Sequence, residues 1–496
     1  AQALCFLAQA LAQALPQLRW ALSKATMSRQ LKRSAEKDAD AVHGAKRPCI
    51  VLLDQVQVCA PTRAIVNLAA IRRNVGIFRR ICEDLGSCLM AVVKADAYGH
   101  GAVRVAREMA ASGVRAFATA TVAEAVELRD GGLLDARVLV LGAPLPGDLP
   151  LFLHHGLEAM ISSLDVARAL AASKAATRGS RADVEVSVHL YLETGMTRLG
   201  LQPQEVPRAL EMLNGVEGIK IVGICSHFAE SDNPSSDYVE EQMDNFDLGL
   251  KALRQHPLGK DLHLDIHFGN SGALLDARFH DMCGQRYYGG LSRPGCALYG
   301  CYPQQSARRS EQILGQFVDA PRQDWVKKEI LLHRTADEQL AEAMTLVTKV
   351  MNVMDVAAGQ SVGYSRTWRA QERCLIATLG IGYADGYPRA ASNQAQVSIR
   401  GRYYPVVGNV CMDMTMVNLG DPDGLGRHIE VGDEAVLFGP GGLSASETAF
   451  HCGTIQHELL SGLTRRVQRL YVDDEDAAKK AGASPPSFRA SLGCTV

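Results

Sequence analysis

Short apolar runs alternate with segments of helical periodicity from residue 59 to residue 303. A short apolar run between turn residues is typical of a strand, whereas apolar residues spaced three or four positions apart predict a helix with one buried face. The first such helical face lies upstream of the first apolar run of strand length. Its members are Ile71, Val75, Phe78, Cys82 and Leu85.

The apolar runs predict eight strands in this part of the chain, most of them separated by a segment of helical pattern. Eight such alternations over about 250 residues are typical of a (β/α)8, TIM-like barrel, which is an α/β fold. We therefore predict a barrel over residues 59–303. Its predicted strands are Cys88–Val93, Val114–Thr119, Arg137–Leu141, Leu157–Ile161, Val184–Tyr191, Ile219–Cys225, Leu262–His267 and Tyr287–Leu291.

The pattern changes after residue 303. A stretch of mixed charge, residues 304–342, shows little strand character and is predicted to be an insertion or linker. Residues 343–472 hold short apolar runs between Gly, Asp and Pro turns, which predicts a mostly β C-terminal domain. Its predicted strands are Thr345–Met351, Glu372–Leu379, Ala395–Arg400 and Ala435–Phe438.

Both ends of the chain differ in composition from the two predicted domains. Residues 1–58 form an N-terminal extension that is alanine-rich and basic and has its first acidic residue at Glu36. A transit peptide, an upstream translation before Met27 and disorder are all compatible with that composition. We expect a cytoplasmic location, or an organellar one if residues 1–35 are a transit peptide. Residues 473–496 are predicted to be a disordered, solvated tail.

The charge balance excludes some classes of function. The 496 residues include 52 basic and 54 acidic side chains, and the net charge of −2 gives no field that attracts nucleic acid or an anionic membrane. No apolar run reaches the ~18 residues that span a bilayer. The 13 cysteines contain no CxxC pair and no zinc-finger spacing, so we expect reduced thiols and no metal.

Polar residues follow the predicted barrel strands at their C-terminal ends, where barrel enzymes have their active sites. Lys94 is a costly residue at the end of an apolar strand, because a buried ammonium has to be paired or neutralised. Two interpretations are open: a salt-bridged lysine, and a Schiff-base lysine that binds a carbonyl cofactor. Tyr98, Ser271 and Gly295 suit a phosphate, which favours pyridoxal phosphate (PLP) as that cofactor.

Six longer motifs occur along the chain, at Val92–Gly101, Leu192–Gly200, Arg293–Gly300, Val362–Trp368, Gly382–Arg389 and Pro405–Met414. Together they resemble the motifs of the alanine racemases, which are fold-type III PLP-dependent amino-acid racemases, over roughly residues 60–472. The resemblance implies a barrel followed by a β domain and a head-to-tail homodimer. It also implies an isomerase that interconverts L-alanine and D-alanine for D-alanine biosynthesis.

The resemblance assigns catalytic roles to two residues. It implies that Lys94 holds PLP as a Schiff base and acts as one base. It implies that Tyr364, donated by the partner subunit, is the second base, on the opposite face of the substrate. Arg293 matches the residue that faces the pyridine nitrogen and limits side reactions, and His227 matches the residue that links this arginine towards the tyrosine.

The remaining matched positions concern substrate and cofactor binding. Arg198 matches a residue near the phenolic oxygen of the cofactor and the substrate carboxylate. The backbone N–H of Met412, donated across the dimer interface, matches a second contact to that carboxylate. The supporting and entrance-corridor positions, whose narrowness favours small substrates, are Asp413, Asp232, Tyr383 and Arg389. The further cofactor-binding positions are Tyr98, Asn270, Ser271, Gly295, Cys296 and His457.

Four features depart from the family pattern. Tyr191 stands where many members have a lysine, modified to a carbamate, that positions the arginine. Arg198 therefore requires another partner, and we expect Glu193 or an added anion. His457 replaces a tyrosine near the cofactor phosphate, and Asn409 replaces a corridor arginine. The insertion between the two predicted domains is also longer than the usual connection.

The leading hypothesis is a PLP-dependent alanine racemase with a two-base mechanism. A serine racemase or a racemase of broad specificity is the alternative within the same chemistry, because His457 and Asn409 leave the substrate open. A related decarboxylase is disfavoured by the Tyr364 motif, and a non-catalytic PLP-binding protein resembles the barrel alone. The expected partners are a small amino acid and a second copy of the chain, without nucleic acid or membrane.

Overall fold

The computed structural model describes residues 60–145, 147–177, 184–233, 236–276, 279–280, 290–303 and 339–475. The predictions for the N-terminal extension, for most of the insertion and for the tail beyond residue 475 lie outside the described residues. So do residues 287–289 of the eighth predicted strand. The described residues form two eight-stranded sheets and a two-stranded ribbon.

The described chain opens with a strand, β1 (Arg63–Asn67), and a long helix, α1 (Leu68–Asp84). The side chain of Asn67 accepts a hydrogen bond from the Ala69 N–H and so caps the helix. The predicted apolar face is confirmed, since all five of its residues are buried along α1 and at its C-cap. This face packs into the main hydrophobic core of the protein.

Eight parallel strands form the barrel, and they confirm the predicted α/β fold class. They are β2 (Cys88–Val92), β3 (Ala116–Thr119), β4 (Arg137–Val140), β5 (Glu158–Ile161), β6 (Val186–Tyr191), β7 (Ile219–Cys225), β8 (Asp265–His267) and β9 (Leu291–Ser292). Their order in the sheet is β8-β7-β6-β5-β4-β3-β2-β9. Every residue of β3 and of β5 is buried, as expected for parallel strands that are covered on both faces.

Helices alternate with these strands. They are α2 (Lys94–Tyr98), α3 (Ala102–Ala111), α4 (Val122–Asp130), α5 (Leu149–His155), α6 (Leu164–Ala176), α7 (Val206–Asn214), α8 (Tyr238–Gln255) and α9 (Ser271–Leu275). The two edge strands meet just beyond their ends, where the Arg293 N–H donates to the Gly269 carbonyl at 2.8 Å. In the parts of the chain that the structure describes, no helix has both the length and the apolar character needed to cross a membrane.

The second sheet confirms the predicted β character of the C-terminal part. The elements of that part are β10 (Met344–Val356), β11 (Ser361–Val362), β12 (Trp368–Arg369), β13 (Cys374–Leu379), β14 (Gln396–Ile399), β15 (Arg402–Pro405), β16 (Thr415–Gly420), β17 (Glu434–Phe438), α10 (Ala445–His451), α11 (Gln456–Ser461) and β18 (Gln468–Val472). Of these, β11 and β12 pair with each other in the separate ribbon. The main path of the sheet runs β15-β14-β17-β10-β1-β18, with β13 added to β10 and β16 to β13. The sequence did not predict β11 and β12, which have only two residues each, or β15, β16 and β18, which mix polar and apolar residues.

The first strand corrects the prediction that the barrel begins at residue 59. β1 pairs antiparallel with β10, with Ala64 opposite Leu346, and parallel with β18, with Ala64 opposite Arg469. It therefore belongs to the sheet of the C-terminal domain, and the barrel begins with α1 and β2. Both partner strands come from the far end of the chain, and the sequence of a strand carries no local signal for so distant a partner.

Buried polar contacts also join the two domains. Asn74, in α1, is fully buried. Its amide donates to the carbonyls of Leu298 and Ala341 at 3.1 and 2.9 Å, and its oxygen accepts the Ala341 N–H at 2.9 Å. Because each buried polar group has a partner, these bonds hold the helix against the segment that leads into β10.

Candidate active site

The C-terminal ends of the barrel strands bring the predicted barrel residues to one rim, as the sequence analysis expected. Lys94 follows β2, Arg198 lies in the loop after β6, His227 follows β7 and Arg293 follows β9. These residues interact electrostatically, because the charges of Arg293, Arg198 and Lys94 all lower the pKa of His227. Asn270 and Ser271 follow β8 at the same end of the barrel.

Lys94 opens an unusual turn. Residues 95–98, which form most of α2, have φ angles of 52° to 53°, so the turn is left-handed. This conformation costs an L-residue roughly 1–2 kcal/mol relative to the right-handed form. Strained backbone of this kind persists only where the surrounding structure holds it, and it is concentrated at functional sites.

Side chains hold the left-handed turn from several directions. Glu124 accepts the backbone N–H of residue 95 at 2.8 Å, and Asp96 accepts the N–H of residue 102 at 2.7 Å. The Nδ1 atom of His100 lies 3.0 Å from the Ala97 carbonyl and 2.9 Å from the Tyr98 carbonyl. Burial lowers the pKa of His100 to about 4, so its imidazole is neutral at pH 7 and donates from Nδ1 to these carbonyls.

The electrostatic surroundings of Lys94 favour the Schiff-base interpretation over the salt bridge. Burial lowers the pKa of Lys94, and the positive charge of Arg198 lowers it further, whereas Glu124 opposes both effects. Glu124 is itself bonded to backbone N–H groups, and none of the carboxylates in the described ranges forms an ion pair with Lys94. A lowered pKa increases the share of neutral amine, which is the form that attacks a carbonyl.

Arg293 is buried among neutral acceptors. Its Nη1 atom donates to the His267 carbonyl at 2.5 Å and contacts the Nδ1 atom of His267, while Nη2 donates to the Ser226 carbonyl at 2.6 Å. Burial lowers its pKa, yet an arginine stays protonated in a protein. Burial together with the neighbouring cations lowers the pKa of His227 to about 3, so that imidazole is neutral beside a fixed positive charge.

Glu193 does not hold Arg198, which corrects one of the expectations. Its Oε1 atom accepts the backbone N–H groups of Gly195 and Thr197 at 2.5 and 2.9 Å, so the carboxylate shapes the loop. Tyr191, and not Glu193, is the side chain that bonds to Arg198. Burial raises the pKa of Tyr191, while a hydrogen bond with Arg198 acts in the opposite direction. The phenol is therefore protonated and lies at the guanidinium of Arg198.

The residues predicted for the phosphate also come together. The Ser271 hydroxyl accepts the Gly295 N–H at 2.9 Å, and a Cβ atom at Gly295 would lie only 2.3 Å from the Tyr98 hydroxyl. The rings of Tyr98 and His457 have centroids 5.8 Å apart. The Nδ1 atom of His457 is buried and makes no hydrogen bond within the described structure. A side-chain-free glycine, hydroxyls and an unpartnered imidazole nitrogen fit a phosphate group.

Two other predicted cofactor residues have local structural roles. The Asn270 oxygen accepts the Ala273 N–H at 3.1 Å, which caps α9, and it accepts the Ser231 hydroxyl at 2.6 Å. Burial raises the pKa of Cys296 to about 12, although a hydrogen bond with Ser271 lowers it. Cys296 is therefore a buried, neutral thiol beside Ser271.

The predicted residues of the C-terminal domain lie on its surface. The side chains of Tyr364 and Met412 are 70% and 53% exposed. Tyr364 lies in a tight turn: Gly363 has φ +72°, and a Cβ atom there would lie 2.8 Å from the methyl group of Met416. The amide of Asn409 donates to the Tyr364 carbonyl at 2.9 Å, so this departure from the family pattern supports the tyrosine turn.

The predicted entrance residues differ from one another in their contacts and exposure. The Asp413 carboxylate pairs with Arg466 at 2.8 Å, and Arg389 donates to a backbone carbonyl at 3.4 Å. Tyr383 is 42% exposed. Burial raises the pKa of Asp232, and the neighbouring negative charge of Glu230 raises it further. Within one chain, His457 of the C-terminal domain thus joins the barrel residues at Tyr98, whereas Tyr364, Met412, Asp413, Tyr383 and Arg389 are exposed on the C-terminal domain.

Comparisons with known proteins show the family to which the two domains belong. The family model described as alanine racemase, N-terminal domain, matches residues 66–303, and the one described as alanine racemase, C-terminal domain, matches residues 343–471. The chain belongs to the alanine racemase family. Its family assignment, barrel and β domain therefore confirm the resemblance seen in the sequence, and the family consists of isomerases.

Individual alanine racemases are similar over most of their length. The alanine racemase of Chlorobaculum tepidum is 38% identical over 417 residues, which are 83% of this chain and 95% of that protein. Alanine racemase 2 of Caldanaerobacter subterraneus is 35% identical, with the same coverage of 83% and 95%. The solved alanine racemase of Clostridium difficile 630 has a TM-score of 0.70 and 30% identity, and the match covers 84% of this chain and 97% of that one.

The sequence analysis missed a set of buried polar residues inside the barrel strands. Glu158, His189 and His267 lie on β5, β6 and β8 and are at most 8% exposed. Glu158 interrupts an apolar run and so gave a local signal, whereas His189 and His267 share their predicted strands with other polar residues. A single polar residue in a predicted buried strand requires a hydrogen-bond partner, which the sequence alone could not name.

The left-handed turn makes a prediction about stability. Ala95 is exposed at φ 52°, so Ala95→Gly removes strain and loses little packing. We expect Ala95→Gly to raise the free energy of unfolding by about 0.5–1 kcal/mol in urea titrations. The matched control is Ala172→Gly, at an exposed position of the right-handed helix α6, which we expect to lower it by about 1 kcal/mol. Equal destabilisation by both substitutions would contradict the proposed strain.

Proposed function

We propose that the protein interconverts L-alanine and D-alanine with PLP bound at the barrel rim, and that a homodimer completes each site. The observation that supports this most directly is the grouping of Lys94, with its lowered pKa, with Arg198, Arg293 and the unpartnered His457, in a member of the alanine racemase family. A site of this charge suits a cofactor phosphate and a substrate carboxylate, which are both anions.

The residues present fit PLP. Lys94 would bind its aldehyde carbon, while the hydroxyls of Ser271 and Tyr98, the backbone at Gly295 and the imidazole of His457 would hold its phosphate. When bound, PLP supplies an electron sink that stabilises negative charge at the substrate Cα atom. The guanidinium of Arg293, which stays charged, would disfavour a positive charge on the ring nitrogen of the cofactor and so would limit reactions other than proton exchange.

Racemisation requires a proton to leave one face of Cα and another to arrive at the opposite face. The Nζ atom of Lys94 serves one face, because burial and the charge of Arg198 lower its pKa and so increase the share of neutral amine that can accept a proton. The Oη atom of Tyr364 serves the other face. Arg198 binds the substrate carboxylate and fixes the direction in which the Cα–H bond points.

A second subunit is the proposed source of Tyr364. This residue and Met412 are exposed on the C-terminal domain, which carries further exposed methionines. A large exposed apolar surface marks a site of protein association. Two-fold pairing of a β domain with the partner's barrel rim would bring both residues to Lys94 twice per dimer. The exposed methionines are Met351, Met354, Met412 and Met414.

The corridor residues would then restrict the substrate to a small amino acid. Tyr383, Arg389 and Asp232 are the proposed entrance residues, with Asp413 in support through its ion pair with Arg466. The changes at His457 and Asn409 leave serine as the second substrate to test. A chiral assay across alanine, serine, lysine and arginine separates these possibilities.

The role of Lys94 gives the first functional prediction. We expect Lys94→Ala to lose the visible absorption of covalently bound PLP and to lower racemase activity by about a hundredfold or more, since it removes both the attachment and a base. Absorbance and the chiral assay are recorded on the same sample. The control Lys251→Ala, at an exposed position of α8, should change neither. A visible band that survives in Lys94→Ala would overturn the assignment.

The role of Tyr364 gives a directional prediction. Tyr364→Phe removes one hydroxyl, so we expect exchange of the α-proton with deuterated water to fall about tenfold more for one enantiomer of alanine than for the other. NMR of each enantiomer in deuterated water measures both rates. Tyr403→Phe, in β15 of the same domain, is the control. Mild and equal effects on the two enantiomers would show that Tyr364 is not a base for one face.

A further inference from the structure

A continuous line of buried polar side chains crosses the barrel from one end to the other. Glu158 lies at the start of β5, His189 within β6, His267 at the end of β8, and Arg293 just after β9. The Glu158 Oε2 atom is 2.8 Å from His189 Nε2, and His189 Nδ1 is 2.8 Å from His267 Nε2. His267 Nδ1 contacts Arg293 Nη1. Three hydrogen bonds therefore connect the far end of the barrel with the arginine at the rim.

The surrounding strands are shaped to contain this line. His189 is fully buried and His267 is 1% exposed. Gly223, on the neighbouring strand β7, lies directly against the His189 ring. A Cβ atom at Gly223 would lie 2.0 Å from His189 Nδ1. The far end is fixed by Arg137, which donates to both oxygens of Glu158 at 2.7 and 3.0 Å. A glycine in mid-strand is unfavourable, and here it makes the space that the two imidazoles occupy.

Arg293 and Glu158, at the two ends of the line, permit only one arrangement of protons on the two imidazoles between them. Arg293 can only donate, so His267 Nδ1 must accept, and the proton of a neutral His267 is then on Nε2. That proton points at His189 Nδ1, which must accept as well, so His189 carries its proton on Nε2. At the other end Glu158 can only accept, because bonds from His189 and Arg137 overcome the effect of burial and lower its pKa to about 2. Both ends therefore specify the same pair of tautomers.

We propose that Glu158, His189 and His267 are positioning residues that fix the guanidinium of Arg293 for its role at the cofactor ring. This proposal depends on the PLP site described under Proposed function. The acceptor at His267 Nδ1, together with the carbonyls of His267 and Ser226, determines where Nη1 and Nη2 of Arg293 lie. A reversed tautomer would place an N–H of His267 against an N–H of Arg293 and displace the guanidinium.

The substitution that tests the line most sharply is Glu158→Gln, which keeps the shape of the side chain. Glu158 Oε2 accepts from both His189 Nε2 and Arg137 Nη2, and Oε1 accepts from Arg137 Nε. A glutamine turns one of these two oxygens into an NH2 donor, which faces either Arg137 Nε or His189 Nε2. Either the bond to Arg137 or the tautomer of His189 is therefore lost. The matched control is Asp265→Asn: Asp265 also pairs with Arg137, at 2.8 Å, but it is not part of the line.

The first experiment compares the PLP-loaded variants with the wild type. We expect Glu158→Gln to lower kcat for alanine by about tenfold with KM changed by less than about twofold, and to shift the visible absorption band of bound PLP. Asp265→Asn should change none of these quantities. A wild-type kcat and spectrum in a folded Glu158→Gln protein would overturn the proposal, as would equal effects of the two variants.

The second experiment measures the tautomers directly and does not depend on catalysis. Nitrogen NMR of the protein labelled in its histidines should show His189 and His267 protonated at Nε2 alone, with and without PLP. His189→Asn and His267→Asn assign the signals. A proton on Nδ1 of either residue in the wild type would overturn the proposal even if the variants are inactive. Failure of the wild type to bind PLP would instead contradict the proposed function, with the tautomer result unaffected.

Discussion

The site depends on positive charge that the protein itself does not neutralise. Lys94, Arg198 and Arg293 converge at the barrel rim, and their mutual repulsion, together with burial, lowers the pKa values of Lys94 and His227. Arg293 is held by carbonyls and an imidazole, and in the described part of the chain no carboxylate bonds to it. Such a site is costly until an anion enters. The proposed affinity for a phosphate and a carboxylate would follow from that imbalance.

The first and the last described strands pair with each other, and the C-terminal domain supports the turn that follows Lys94. β1 is paired in the C-terminal sheet before the barrel begins, and β18 lies beside it. The left-handed turn after Lys94 packs against the same region: a Cβ atom at Gly99 would lie 2.1 Å from the Leu460 carbonyl, and Arg469 donates to the Gly99 carbonyl at 3.0 Å. The C-terminal domain therefore supports the lysine turn of its own barrel and leaves Tyr364 exposed, as the proposed dimer requires.

The residues at the ends of strands could be predicted from the sequence, and those inside the strands could not. Lys94 and Arg293 stand in long motifs after clear apolar runs, so their place at the rim followed from the barrel. Glu158 and His189 lie within the predicted strands, and nothing local indicates that they bond to each other across the barrel. Glu193 shows the opposite error: its proximity to Arg198 in the sequence suggested an ion pair, but nearby backbone N–H groups bind it instead.

The central claim is that one active site contains Lys94 from one subunit and Tyr364 from its partner. Mixing the Lys94→Ala and Tyr364→Phe proteins under conditions that exchange subunits tests it most directly. With random exchange, half of the dimers are hybrids and each has one complete site, so activity should rise to about a quarter of the wild-type value. Activity that stays at the sum of the two separate variants, although differently tagged subunits show that hybrids have formed, would contradict the account.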